Sequence, residues 1–94
     1  MVGRYTIMKA PGVESYVNRL PRNVREAYEE RLKELASDPY PRRNRKGFKE
    51  LHGKWKGYLA CVFFGKAYRI VYSVDEEKKT VYIKDVGPRG DIYK

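Results

Sequence analysis

Cysteine occurs once, as Cys61, histidine once, as His52, and glutamine not at all. A lone cysteine excludes a disulfide framework within the chain and, beside a single histidine, a zinc cluster, so no metal or other cofactor is expected. Cys61 lies in an apolar run and reads as a small buried hydrophobe. No apolar stretch is long enough to span a bilayer and no basic amphipathic helix reads as a surface anchor, so no membrane partner is expected. The opening residues 1–5 hold no apolar segment of signal-peptide length, which sets the expectation of a cytoplasmic protein. Acidic residues are scarce as well: 12 Asp and Glu face 21 Lys and Arg, for a formal charge of +9 in 94 residues. A surplus that large in so short a chain suggests a polyanionic partner, nucleic acid first, with general solubility as the plain alternative. The missing glutamine and abundant Lys, Arg and Glu also give a thermophile-like balance.

What is present suits one domain, residues 1–94, with a single core between two layers. In Ala67 to Val74, Tyr68, Ile70, Tyr72 and Val74 alternate with Arg69, Val71 and Ser73, the pattern of a central strand with two unlike faces. Arg69 costs burial energy there unless its face is open and meets an anion; an ordinary surface arginine on a solvated face is the alternative.

Tyr5 to Met8 reads as a first strand. Val13, Tyr16, Val17 and Leu20 then recur at helical spacing. A longer helix over Pro21 to Ser37 carries the apolar stripe Val24, Ala27, Tyr28, Leu32, Leu35 and Ala36, with Asp38-Pro39 as its stop and a Glu29 to Lys33 pair on its solvated face. The two form a hairpin covering one side of a sheet. Tyr58 to Phe64 is an apolar strand, Gly65-Lys66 a turn, Ala67 to Val74 the central strand, Asp75 to Lys79 a polar turn, and Thr80 to Val86 the last strand. Val81 and Ile83 share one face of it, Tyr82 and Lys84 the other. The expected fold is α+β: an N-terminal strand, a helical hairpin and a three-stranded antiparallel meander, with helices on one face and the other face at least partly open.

Between Tyr40 and Gly57 lies a basic loop. Arg42, Arg43, Arg45, Lys46, Lys49, Lys54 and Lys56 stand against Glu50 alone, with Phe48 and Trp55 interleaved. Cations alternating with aromatic rings suit phosphates and stacked bases; a solvated connector with Phe48 and Leu51 tucked against the core is the alternative. His52 reads as a structural or RNA-contacting loop residue and Glu50 as a solvated glutamate.

Leu51-His52-Gly53, Tyr58, Tyr68-Arg69-Ile70-Val71-Tyr72-Ser73-Val74, Val86-Gly87-Pro88-Arg89 and Ile92-Tyr93-Lys94, in that order and spacing, resemble the RelE/ParE toxins of prokaryotic toxin–antitoxin pairs. The resemblance covers nearly the whole chain, with an archaeal or thermophile-like RelE cast. It implies the RelE-like fold and a type II toxin that is a metal-independent, ribosome-dependent endoribonuclease, an mRNA interferase cutting mRNA in the A site by attack of the 2′-hydroxyl. It also implies a cognate RelB-like antitoxin and contact with mRNA and ribosomal RNA, hence translation inhibition. Carried over by position, Arg69, Arg89 and Tyr93 fall on the catalytic residues, and the Arg89 to Tyr93 spacing is shorter here than in the best-known bacterial members.

RelE-type relatives usually carry cations along the strand after the basic loop. Tyr58 to Phe64 has none. Lys54 or Lys56 just ahead of it, Lys66 in the turn and Lys84 are the candidate replacements; with Lys46, Lys49 and Trp55 they form the expected RNA-binding set. The same uncharged strand favours the alternatives of a ParE-like inhibitor of DNA gyrase and of a degenerate homologue that only binds RNA or antitoxin.

Overall fold

In the computed structural model, which describes residues 4–88, the chain runs β1 (Thr6–Lys9), α1 (Val13–Asn18), α2 (Arg22–Ser37), β2 (Phe48–Glu50), β3 (Leu59–Phe63), β4 (Tyr68–Asp75) and β5 (Thr80–Pro88). A 3-10 turn at Gly53–Trp55 lies between β2 and β3. The strands form one sheet in the order β1-β5-β4-β3-β2. β1 runs parallel to β5, and every other pairing is antiparallel.

The apolar stripe of α2 buries Val24, Tyr28, Leu32 and Leu35, spaced by three and four residues so that they share one face. α1 adds Val13 and Val17. Both pack on one side of the sheet against Cys61 and Phe63 of β3, Ile70 and Tyr72 of β4, and Val81, Ile83 and Val86 of β5. Each fully buried aliphatic side chain such as Ile70 or Leu35 contributes about 1.5–3 kcal/mol. α2 stops where Asp38 turns extended ahead of Pro39, as the residue before a proline is pushed to do. The Tyr72 hydroxyl then donates to the buried Pro39 carbonyl at 2.5 Å, tying the helix exit to the central strand.

The architecture agrees with the α+β expectation, with three differences. The meander gains an edge strand, β2, because the burial of the apolar Phe48 of the cationic loop opposite Cys61 draws residues 48–50 into register with β3. β5 runs two residues further than expected, to Pro88, and carries a bulge: Val71 pairs with Asp85 and Tyr72 with Ile83, leaving Lys84 as the extra residue. The bulge resets the alternation, so Val81, Ile83 and Val86 all reach the helical side. On α2, Lys33 pairs with Glu30 at 3.1 Å and not with Glu29.

Candidate functional site

Strand alternation sends Arg69, Val71 and Ser73 to the face opposite the helices, since Ile70 and Tyr72 are core. That face is not simply open. Leu51, Ala60 and Val71 form a small second cluster, and Trp55 and Tyr58 of the loop pack over it, their rings 5.7 Å apart and edge to face.

Beside this cap lies a cavity of about 200 Å³ whose lining includes Gly47, Lys49, Val62, Lys66 and Arg69. Arg69 sits in register between Val62 of β3 and Gly87 of β5, and Gly87 offers no side chain to crowd it. It is only 6 % exposed, so the plain surface arginine does not hold. Lys49 reaches the cavity because β2 pairs it with Ala60, on the face that Arg69 shares. Lys66 comes from the residue 64–67 turn, where Phe64 (φ 53°) and Gly65 (φ 73°) both take the left-handed conformation. A cluster of cations around a partly enclosed pocket is suited to an anion, and the planar fork of a guanidinium suits a phosphate.

The edge of the cavity is shaped by Gly47, whose φ of 85° and whose close approach to the Val62 side chain both disfavour a larger residue. Gly47 accepts the Val62 N–H at 2.9 Å, while the Val62 carbonyl takes the Arg31 Nε–H at 2.8 Å. Arg31 and Arg45 enclose the Phe48 ring, at 4.9 Å and 3.8 Å from its centroid, and Arg45 also donates to the carbonyls of Asp38 at 2.6 Å and Tyr40 at 2.9 Å. Phe48 is therefore a core residue held by two guanidiniums, not a stacking platform. Neither arginine stands out in the sequence; the one signal was an aromatic residue flanked by cations.

Cys61 also borders the cavity, but burial pushes its thiol up to about 12, which leaves it protonated and unreactive. The other expected residues are spread out. Lys84 is exposed on the Arg69 side, 5.9 Å from the Tyr58 ring. Lys46, Lys54 and Lys56 are exposed in the loop and do not line the Arg69 cavity. Trp55 is half-buried in the cap. Arg89 and Tyr93 lie outside the described residues; the last described residue, Pro88, pairs with Tyr68. Among the described residues no helix is long and apolar enough to cross a membrane.

Residues 11–93 match the family described as ParE toxin of type II toxin–antitoxin system, parDE. No curated protein sequence matches. Among solved structures, the chain is similar to one from the toxin–antitoxin complex RelBE2 of Mycobacterium tuberculosis, at 24% identity and a TM-score of 0.73 over 92% of this chain and 99% of that one. It is similar to one from the archaeal RelE–RelB complex of Pyrococcus horikoshii, at 24% identity and a TM-score of 0.73 over 94% and 98%. The isolated RelE toxin of E. coli aligns at 25% identity and a TM-score of 0.70 over 95% of this chain and 90% of that chain.

Proposed function

Because the chain belongs to the ParE toxin family of type II toxin–antitoxin systems, and within that RelE/ParE group has a RelE-like fold, we propose that it is an endoribonuclease cutting mRNA on the ribosome. The observation that carries the proposal is Arg69: an arginine residue only 6 % exposed, on the helix-free face, in a cavity with Lys49 and Lys66. Here the cations missing from β3 are supplied by the neighbouring β2 and by the β3–β4 turn.

The chemistry needs no metal. The ribose 2′-hydroxyl loses its proton and its oxygen bonds to the adjacent phosphorus. The bond from phosphorus to the 5′-oxygen breaks, that oxygen takes up a proton, and a cyclic phosphate remains on the upstream piece. Negative charge grows on the phosphoryl oxygens between these states, where fixed cations act most strongly. Arg69 stabilises that charge with paired donors, assisted by Lys49 and Lys66. Arg89 is assigned the same task nearer the leaving oxygen, and Tyr93 the orientation or deprotonation of the 2′-hydroxyl. A ribosome supplies the near-attack geometry that a site without a strong base requires.

The family also implies an antitoxin partner. We assign this chain a RelB-like antitoxin, by analogy with the complexes in which its structural neighbours occur. A partner rich in acidic residues suits a chain of charge +9.

Gyrase inhibition of the ParE type is the second reading, favoured by the family matched and by the absence of any cation on β3. Two assays separate the readings. Primer extension on mRNA from a cell-free translation reaction should show cuts within codons when the protein is added, and a gyrase supercoiling assay should show no linear DNA. Whole mRNA with linear DNA would reverse the assignment.

A further inference from the structure

Besides the Arg69 cavity, the helix-free face carries a second depression. Tyr82 of β5 lies in register with Ser73 of β4 on one side and Met8 of β1 on the other. Tyr58, one residue ahead of β3, completes the row, and all four residues line one cavity of about 270 Å³. Ser73 is the small residue of that row, so the sheet dips between the two tyrosines. The strands on either side of β4 are about 10 Å apart, two strand spacings, which leaves room for one flat ring between their side chains.

The row holds two of the three large apolar side chains exposed among the described residues: Met8 is 52% and Tyr82 38% exposed, the third being Phe64 in the β3–β4 turn. Burying neither of them has a cost, and a soluble chain that leaves such residues side by side presents a surface for binding. Its edge is cationic. The bulge at β5 turns Lys84 out as the extra residue, its ammonium 5.9 Å from the Tyr58 ring centroid. Lys84 has no ion-pair partner among the described residues, whereas its neighbour Asp85 accepts the Val86 N–H at 2.9 Å. Two rings with a cation at their border that no carboxylate among the described residues neutralises match a nucleobase and its phosphate better than an acidic helix, which would leave the rings without a flat partner.

Ser73 and Arg69 lie four residues apart on the same face of β4, so the slot and the Arg69 cavity are separated by about 13 Å of strand. An extended single strand with one phosphate at Arg69 carries its neighbouring nucleotides across that distance. We infer that Tyr58, Ser73 and Tyr82, with Lys84 at the rim, form a base-stacking subsite for a nucleotide flanking the one bound at Arg69. The inference rests on the RNA reading above and adds to it a place where the strand is gripped away from the reacting phosphate. Stacking of this kind accepts any base, so the subsite adds affinity and register without sequence choice.

The test is fluorescence anisotropy of the antitoxin-free chain with a short single-stranded oligoribonucleotide carrying 2′-O-methyl groups throughout, which cannot be cleaved by 2′-hydroxyl attack. A second series walks one abasic position along it. Tyr82→Ala should weaken binding about tenfold, as loss of one stacked base does, while Tyr82→Phe, which keeps the ring, stays within about twofold of wild type. One abasic position should bind wild type as weakly as Tyr82→Ala and show no further loss with that variant. Lys84→Met should reduce the salt dependence of binding. If Arg69→Ala weakens binding but Tyr82→Ala does not, the subsite is overturned and the RNA reading stands. If wild type and Arg69→Ala bind equally or not at all, the RNA reading itself falls. A Tyr82→Ala variant that keeps RNA affinity but loses the antitoxin overturns the subsite and gives the row to a protein partner.

Discussion

Arg31 of α2 donates its Nε–H to the carbonyl of Val62, the residue that faces Arg69 across the β3–β4 ladder. β2 begins only at Phe48, which pairs with Cys61, so this carbonyl lies where the strand pairing runs out, and a helix side chain takes the place of the absent strand. Arg31→Met keeps the packing on Phe48 and deletes the donor. It should lower stability by about 1.5 kcal/mol in equilibrium urea unfolding, the low end for a charge-assisted bond because the site is half-exposed. On the ribonuclease reading proposed above, it should also reduce RNA cleavage through displacement of β3.

Two buried tyrosines should respond to the same substitution with opposite results. The Tyr72 hydroxyl donates to Pro39, and Tyr72→Phe leaves that carbonyl buried and unpaired, at a cost of about 1–3 kcal/mol. The Tyr28 hydroxyl is buried with no hydrogen-bond partner among the described residues. Tyr28→Phe removes a desolvated polar atom and should be neutral or stabilising. Thermal unfolding separates them, since 1 kcal/mol moves the midpoint of a domain of this size by about 4–8 °C.

Glu76 gathers the Lys79 ammonium and the hydroxyls of Tyr40 and Tyr5, which hold its carboxyl at about 2, well below the usual carboxylate value. A group depressed in the folded state stabilises at pH above its unfolded pKa and loses that contribution as the pH falls toward the folded one. The stabilisation is therefore complete above about 4.5 and disappears between there and about 2. Glu76→Gln should flatten the fall in midpoint temperature across that window. Because the cluster is solvent-exposed, added salt should shrink the difference.

Cys61 should be silent in the native protein. With its thiol pushed up to about 12 by burial, alkylation at mild alkaline pH should proceed only as fast as the chain opens, and at the ordinary rate for a free thiol in denaturant. Rapid labelling of the folded chain would show that β3 does not pack as described.

The sequence pattern made β4 and β5 legible because each has one face built for a core and one that is not, and strand alternation then placed Arg69 and Lys84 together on the helix-free side. The stripe on α2 was legible for the same reason. β2 was not, since three residues bearing two charges carry no periodicity, and only their pairing with Leu59 to Cys61 of β3 defines it. The bulge at Lys84 is a property of two strands in register and has no signature in either alone. Arg31 and Arg45 look like ordinary solvated cations until Val62, Asp38 and Tyr40 present their carbonyls to them. Trp55 among lysines looks like a base platform, yet it is half-buried in the cap, while Tyr82 is exposed beside Met8 and Ser73, neighbours that only the strand pairing brings to it.

The most direct test of the account is single-turnover cleavage of mRNA on programmed ribosomes by wild type, Arg69→Lys and Arg69→Ala, each first shown to be folded by circular dichroism. A guanidinium that stabilises charge on the phosphate predicts a loss of about 10²–10³ for Arg69→Ala. It predicts only partial recovery with Arg69→Lys, which restores the charge without the paired donors. Equal rates for all three proteins would contradict it.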